Sequence, residues 1–198
     1  MISGVDLPIK SNNFIHSFFS EHSGKEFIGI CNIEENTFID RVSKIHLFSK
    51  WFRSNNKLIN KLRSYSETII NNLYKKNIYK DFEYKKGPEW VSITDSFCKF
   101  LIENKKDILQ KYKYSLCADE IYKQTLVWNS SYKNALYTSV DENRSCLRLI
   151  DWKRGNPYVY GQNEEIDLEI ILFSDAIFAR KFDVSKYPKI ISLIKENL

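Results

Sequence analysis

Apolar residues recur at helical spacing along much of this chain, and short apolar runs bounded by turn residues separate those stretches. Behind the N-cap candidates Ser11 and Asn12, the positions Phe14, Ile15, Phe18 and Phe19 predict a short amphipathic helix. Lys25 to Cys31 reads as a buried strand. From Asn55 to Tyr79, Leu58, Ile59, Leu62, Tyr65, Ile69, Ile70, Leu73 and Tyr74 follow a 3.6-residue period, which predicts one or two helices with a polar face. Gly87-Pro88 interrupts that pattern. Trp90-Val91-Ser92-Ile93 then reads as a strand leading to Thr94-Asp95, a helix cap for Phe97 to Glu103. Asp119 to Trp128 is a further expected helix. Cys146 to Ile150 is a short strand with Leu147 and Leu149 on one face, Glu164 to Leu172 a helix, Ile177 to Ala179 extended, and Tyr187 to Leu198 a closing helix. Strands alternating with helices make α/β the expected class. Ser3 to Pro8 carries a loop signal, so the chain is expected to open on a loop.

The 198 residues are 43% hydrophobic, enough for one substantial core, and no internal repeat or low-complexity linker divides them. A single domain over 1–198 is expected. With 13 Phe, 12 Tyr and 4 Trp, the chain has large apolar rings both for packing and for stacking on sugars. The net charge of +5 does not imply a DNA or RNA surface, because the cations are scattered among 25 acidic residues. That balance suits a phosphate-bearing small ligand and an anionic membrane surface equally. Cys31, Cys98, Cys117 and Cys146 form no CxxC pair and have no His at zinc-ligand spacing, so reduced core thiols and no metal site are expected. No apolar run approaches the roughly 20 residues of a spanning helix, and the start lacks a signal-peptide core, so the chain reads as cytoplasmic or peripherally membrane-associated.

Candidate chemistry is sparse. Asp119-Glu120 reads either as a helix cap or as a catalytic carboxylate pair. Arg180-Lys181, between Phe178 and Phe182, reads either as a solvated basic turn or as a metal-free clamp for a diphosphate. Trp152 could present its face to a sugar or lie buried. His16, His22 and His46 show no triad or metal spacing, and there is no GxGxxG or P-loop.

Taken in order, six elements resemble the core-2/I-branching β-1,6-N-acetylglucosaminyltransferase family, which includes peptide O-xylosyltransferases. Ser-Gly-Val-Asp-Leu-Pro-Ile-Lys at 3–10 resembles its SG-x-D-[LF]-P-[IL]-K element, and Gly24-Lys25-Glu26-Phe27-Ile28 its GKEFI segment. Gly87-Pro88-Glu89-Trp90 with Ile93 to Phe97 resembles its GS-x-W strand and following helix. Asp119 to Thr125 is similar to PDE-x-x-x-QT, Leu147 to Trp152 to LRYIDW, and Phe178 to Phe182 to FARKF. The resemblance implies an inverting transfer on a GT-A-like fold, with a UDP-sugar donor and a glycan hydroxyl as acceptor. It implies Glu120 as general base, Lys181 and Arg180 as diphosphate ligands, and Glu26, Trp152 and Trp90 as acceptor-side contacts. It also implies cations in place of a divalent metal, so no cofactor is expected beyond the donor substrate. Xylosyl transfer and a non-catalytic glycan- or partner-binding remnant are the alternatives. The family's proline before Asp-Glu is Ala118 here. Its second diphosphate cation would fall near Tyr158 to Tyr160, where no Arg stands, so Arg180 or Arg154 would supply that charge. The strands that hold the uridine would precede Met1, which implies the acceptor-side, C-terminal portion of the fold.

Overall fold

The computed structural model describes residues 3–47 and 56–198, and the chain gathers into two compact units of mixed α/β structure. The first comprises Met1–Gly29, Trp90–Thr94 and Ala135–Leu198. Its sheet contains β1 (Asp6–Pro8), β4 (Arg148–Ile150) and β5 (Phe178–Arg180), in the order β1-β5-β4, with β1 antiparallel and β4 parallel to β5. The register sets Leu7, Ala179 and Leu149 side by side, and side chains alternate between faces along a strand. On that face Leu149 and Ala179 join Ile9, Tyr160, Ile171, Phe182, Ile190 and Ile194, so α8 (Glu164–Leu172) and α9 (Pro188–Glu196) cover it. On the other face Phe178 packs with Phe27, Leu147 and Ile177 under Phe18 and Phe19 of α1 (Asn12–Glu21). Asp6, Arg148 and Arg180 lie on that same second face by the period of two. A two-stranded ladder, β2 (Phe27–Ile28) with β3 (Val91–Ser92), completes the unit. Gly161 has φ +108°, and a Cβ there would meet the Cβ of Tyr187 at 2.5 Å, so glycine alone fits beneath the start of α9.

The second unit comprises Ile30–Glu89 and Asp95–Asn134. It contains α2 (Asp40–Ser43), α3 (Lys57–Leu73), α4 (Asp95–Glu103), α5 (Lys105–Tyr112) and α6 (Tyr122–Trp128). Phe38, Val42, Tyr84, Tyr112 and Ile121 form its core. The four-residue α7 (Glu142–Ser145) belongs to the first unit, where Asp141 caps it by accepting the Arg144 N–H.

The expected α1 forms with Ser11 as its N-cap, and α8 has the bounds expected for it, Glu164–Leu172. Other boundaries move. The strand expected over Lys25 to Cys31 keeps only Phe27–Ile28. The periodic stretch from Asn55, which itself lies outside the described residues, is one helix ending at Leu73, with Tyr74 already extended. Leu147 and Leu149 do not share a face: Leu147 has φ +63° and precedes the strand, so it turns into the Phe27 cluster while Leu149 enters the α8–α9 core. The expected loop at Ser3 to Pro8 ends in β1, and α5 had no counterpart in the sequence reading. The thiols are not all in the core: Cys146 is buried, whereas Cys98 and Cys117 are exposed. Among the described residues no helix is long and apolar enough to cross a membrane.

Candidate active site

In the second unit the Asp119-Glu120 pair does not start a helix. Ala118–Glu120 forms a 3-10 turn entered through Cys117 at φ +49°, and α6 begins at Tyr122 with no side-chain cap. The cap reading therefore fails for both carboxylates. Asp119 points to solvent, whereas Glu120 Oε2 accepts from Arg41 Nη1 at 2.8 Å and pairs with Lys86 Nζ at 3.3 Å. Glu120 Oε1 has no hydrogen-bond partner among the described residues, and the side chain is 34% exposed.

Local hydrogen bonds hold both cations. The Arg41 carbonyl accepts the Leu116 N–H at 2.8 Å, tying α2 to the segment before the turn. The 85–88 segment is clamped by α6. Thr125 Oγ1 accepts the Lys85 N–H and donates to the Lys85 carbonyl, Gln124 Nε2 donates to the Pro88 carbonyl at 2.7 Å, and the Gly87 N–H donates to the Glu120 carbonyl. The buried Gln124-Thr125 pair of the sequence pattern thus fixes Lys86 beside the carboxylate.

In the first unit Asp6 and Arg180 are direct cross-strand partners, and Arg180 Nη1 donates to Asp6 Oδ1 at 2.7 Å. The Arg180 guanidinium lies 4.5 Å over the Trp90 ring. Arg148, fully buried, approaches Asp6 Oδ2 at 4.0 Å, donates to the Cys146 carbonyl and stacks 4.3 Å over Phe178. Burial pulls the Arg148 pKa down, opposed by the Asp6 charge. Trp90, expected at an acceptor, is instead buried and gives its ring face to Arg180. Arg180 is neutralised by Asp6, and the next residue, Lys181, is half-buried with no ion-pair partner among the described residues.

Arg154, the other candidate cation, is also committed. It donates to Asp151 Oδ2 at 2.5 Å and to the buried Asp167 Oδ1 at 2.8 Å. Although burial of Asp151 acts upward, the bonds from Arg154 and Lys153 hold its carboxyl below the usual range. Next to this network Trp152 is 48% exposed and lines an open cavity of about 420 Å³ with Asn143, Leu149 and Tyr160. Glu26 is 1% exposed, and its carboxylate accepts the N–H and hydroxyl of Thr94, which faces a smaller cleft with His22 and Lys25.

The sequence reading missed Arg41, Lys86, Asp6 and Arg148. An arginine between Leu147 and Leu149 in an apolar strand was a usable signal, since a buried charge requires a partner. Among the described residues no group of three or more His, Cys, Asp or Glu side chains is arranged to hold a metal ion.

A family model described as Core-2/I-Branching enzyme matches residues 1–171, stopping short of Phe178 to Phe182. No curated protein matches the chain.

Proposed function

The chain belongs to the Core-2/I-branching enzyme family of glycosyltransferases, and from that premise we propose that it transfers N-acetylglucosamine from a UDP-sugar to a glycan hydroxyl, with inversion, on a GT-A-like fold. The observation that carries this reading is the Glu120 carboxylate, partly exposed, with both cations on Oε2 and no hydrogen bond to Oε1 from the described residues. An acceptor hydroxyl must lose its proton as its oxygen attacks the anomeric carbon, and Oε1 is the atom that accepts it. Arg41 and Lys86 hold the carboxylate's orientation through the other oxygen.

Bond formation at the anomeric carbon expels the nucleotide diphosphate, which gathers negative charge. Lys181 stabilises that charge as a fixed cation. Arg180, anchored by Asp6, holds the backbone from which Lys181 projects. Trp152 offers an exposed ring face to the acceptor sugar, and Glu26 acts on the acceptor side through Thr94. The reaction in this reading uses no divalent metal.

A transfer screen tests the proposal. The protein is incubated with UDP-N-acetylglucosamine, UDP-xylose and other UDP-sugars against glycan and serine-peptide acceptors, and the anomeric configuration of the product is read by NMR. Inverted N-acetylglucosaminyl product is expected. Xylosyl product would replace the donor assignment, and retained configuration would remove Glu120 as a base acting in a single displacement.

A further inference from the structure

Helix α3 (Lys57–Leu73) has two faces of opposite character. One face is tied to the second unit: Asn71 Nδ2 donates to the Ile45 carbonyl at 3.0 Å, Asn71 Oδ1 accepts the Ile45 N–H at 2.7 Å, and Glu67 lies 3.8 Å from His46. The other face carries Leu58, Leu62, Tyr65, Ile69 and Leu73, which are between 41% and 71% exposed. Their spacings of four, three, four and four residues place them in one stripe. At 1.5 Å per residue the stripe runs for about 22 Å. No residue of α3 is buried, so its hydrophobic periodicity does not serve the core.

The sequence in and after this helix is one-sided in charge, although Lys76 is half-buried against Ser115 and adds nothing to the exposed surface. From Asn56 to Lys80 the basic residues are Lys57, Lys61, Arg63, Lys75, Lys76 and Lys80, and Glu67 is the one acid. This surplus of five equals the surplus of the whole chain, 30 basic over 25 acidic, so the remaining residues are balanced. Glu67 lies on the protein-facing side, whereas Lys57 and Lys61 are exposed beside the ridge.

We infer that α3 docks this chain on an anionic phospholipid surface, with the ridge at the boundary between headgroups and acyl chains and the lysines against lipid phosphates. A convex apolar ridge flanked by cations suits a fluid interface, where such helices sink roughly 5–10 Å into the headgroup boundary. A second copy fits less well, because its identical face brings no negative charge to Lys57 and Lys61. The inference rests on this helix alone and stands or falls separately from the role of Glu120.

The test is co-sedimentation of the 198-residue chain with phosphatidylcholine vesicles, with and without phosphatidylserine. Binding is expected with phosphatidylserine, and it should collapse at about 1 M salt, where charges are screened beyond roughly 3 Å. Lys57→Gln and Lys61→Gln should each weaken it about fivefold, the equivalent of about 1 kcal/mol per cation at such a surface. Leu62→Glu with Ile69→Glu should abolish it while leaving the circular dichroism spectrum and melting curve unchanged, since both positions are exposed. If the paired glutamates unfold the chain, the lysine variants and the salt series decide alone. Equal binding to both vesicle types, binding to neither, or indifference to the lysine variants would overturn the inference. So would a dimer in sedimentation velocity that the paired glutamates dissolve, which would make the ridge an interface between copies.

Discussion

Removing the Asp6 carboxylate by Asp6→Ala tests the ion cluster at the heart of the first unit. Asp6 is buried and faces the Arg180 guanidinium at 2.7 Å and that of Arg148 at 4.0 Å. Deleting one partner of a buried pair leaves uncompensated charge, at a cost of about 3–5 kcal/mol. Arg180 keeps 17% of its side chain exposed and can turn partly to water, which favours the lower end. Arg148 has no exposure, retains its bond to the Cys146 carbonyl and cannot turn out, which favours the upper end. For a chain of this size each kcal/mol shifts Tm by about 2–4 °C, so the expected fall is roughly 6–20 °C.

Urea unfolding of Asp6→Ala, Arg180→Met and the double variant measures the coupling directly. The double variant should lose less than the sum of the singles, by about 0.5–3 kcal/mol, as expected for residues in contact. A cost for Asp6→Ala under about 1 kcal/mol, the scale of an exposed pair, would refute the buried-cluster reading. Additivity within about 0.5 kcal/mol would do the same.

Lys181→Ala should weaken UDP binding by about 1.5–3 kcal/mol in titration calorimetry, the range for a charge-assisted contact, with little change in melting temperature. Burial lowers the Lys76 pKa from 10.5 to about 8, so between those values the unfolded chain holds a proton on Lys76 that the folded chain has released, and the contribution of Lys76 to stability should rise with pH. In urea melts taken from about pH 8 to pH 9, below the tyrosine pKa of about 10, the stability difference between the parent and Lys76→Met should move in the parent's favour as pH rises. A thiol reagent at about pH 8 should label Cys98 and Cys117 readily and spare Cys146 until the chain unfolds. Cys146 is buried and its thiol is pushed up to about 12, chiefly by burial. Transfer should survive excess EDTA; loss of activity with rescue by Mn²⁺ would instead require a metal at the diphosphate.

The parts of this fold that were legible in the sequence are those whose signal is local. Ser11 before Phe14, Ile15, Phe18 and Phe19 combines a cap with a period, and the run from Glu164 to Leu172 is bounded by Asn163 before it and Ser174-Asp175 after it. α5 escaped notice because Lys105-Lys106-Asp107 and Lys111 outweigh Ile108, Leu109 and Tyr112 in a reading of so short a window. β1 was hidden because three residues beside Gly4 and ending in Pro8 look like a loop; a strand so short is defined by its partner. The same limit governs the candidate site. Asp6 and Arg180 are 174 positions apart, and Glu120 meets Arg41 across 79, so no spacing rule could join them. The ordered motifs named the elements on which these residues sit, and the sheet register and the α6 clamp determined which charges face one another. Trp90 and Trp152 look alike in the sequence, yet one is a platform for Arg180 and the other an exposed ring, because burial of an indole depends on neighbours far away in the chain.

The role of Glu120 is most directly tested by the turnover of Glu120→Gln with UDP-N-acetylglucosamine and a glycan acceptor, alongside UDP affinity by calorimetry. Glutamine keeps the side chain's size and can accept from Arg41 or Lys86 through its amide oxygen, but it cannot take a proton from the acceptor hydroxyl. kcat should fall by at least about 10²-fold, the usual scale for a general base, while UDP binding stays within a factor of about three. Turnover near that of the parent would contradict the account, leaving Glu120 as the counter-ion of Arg41 and Lys86 and placing the base elsewhere.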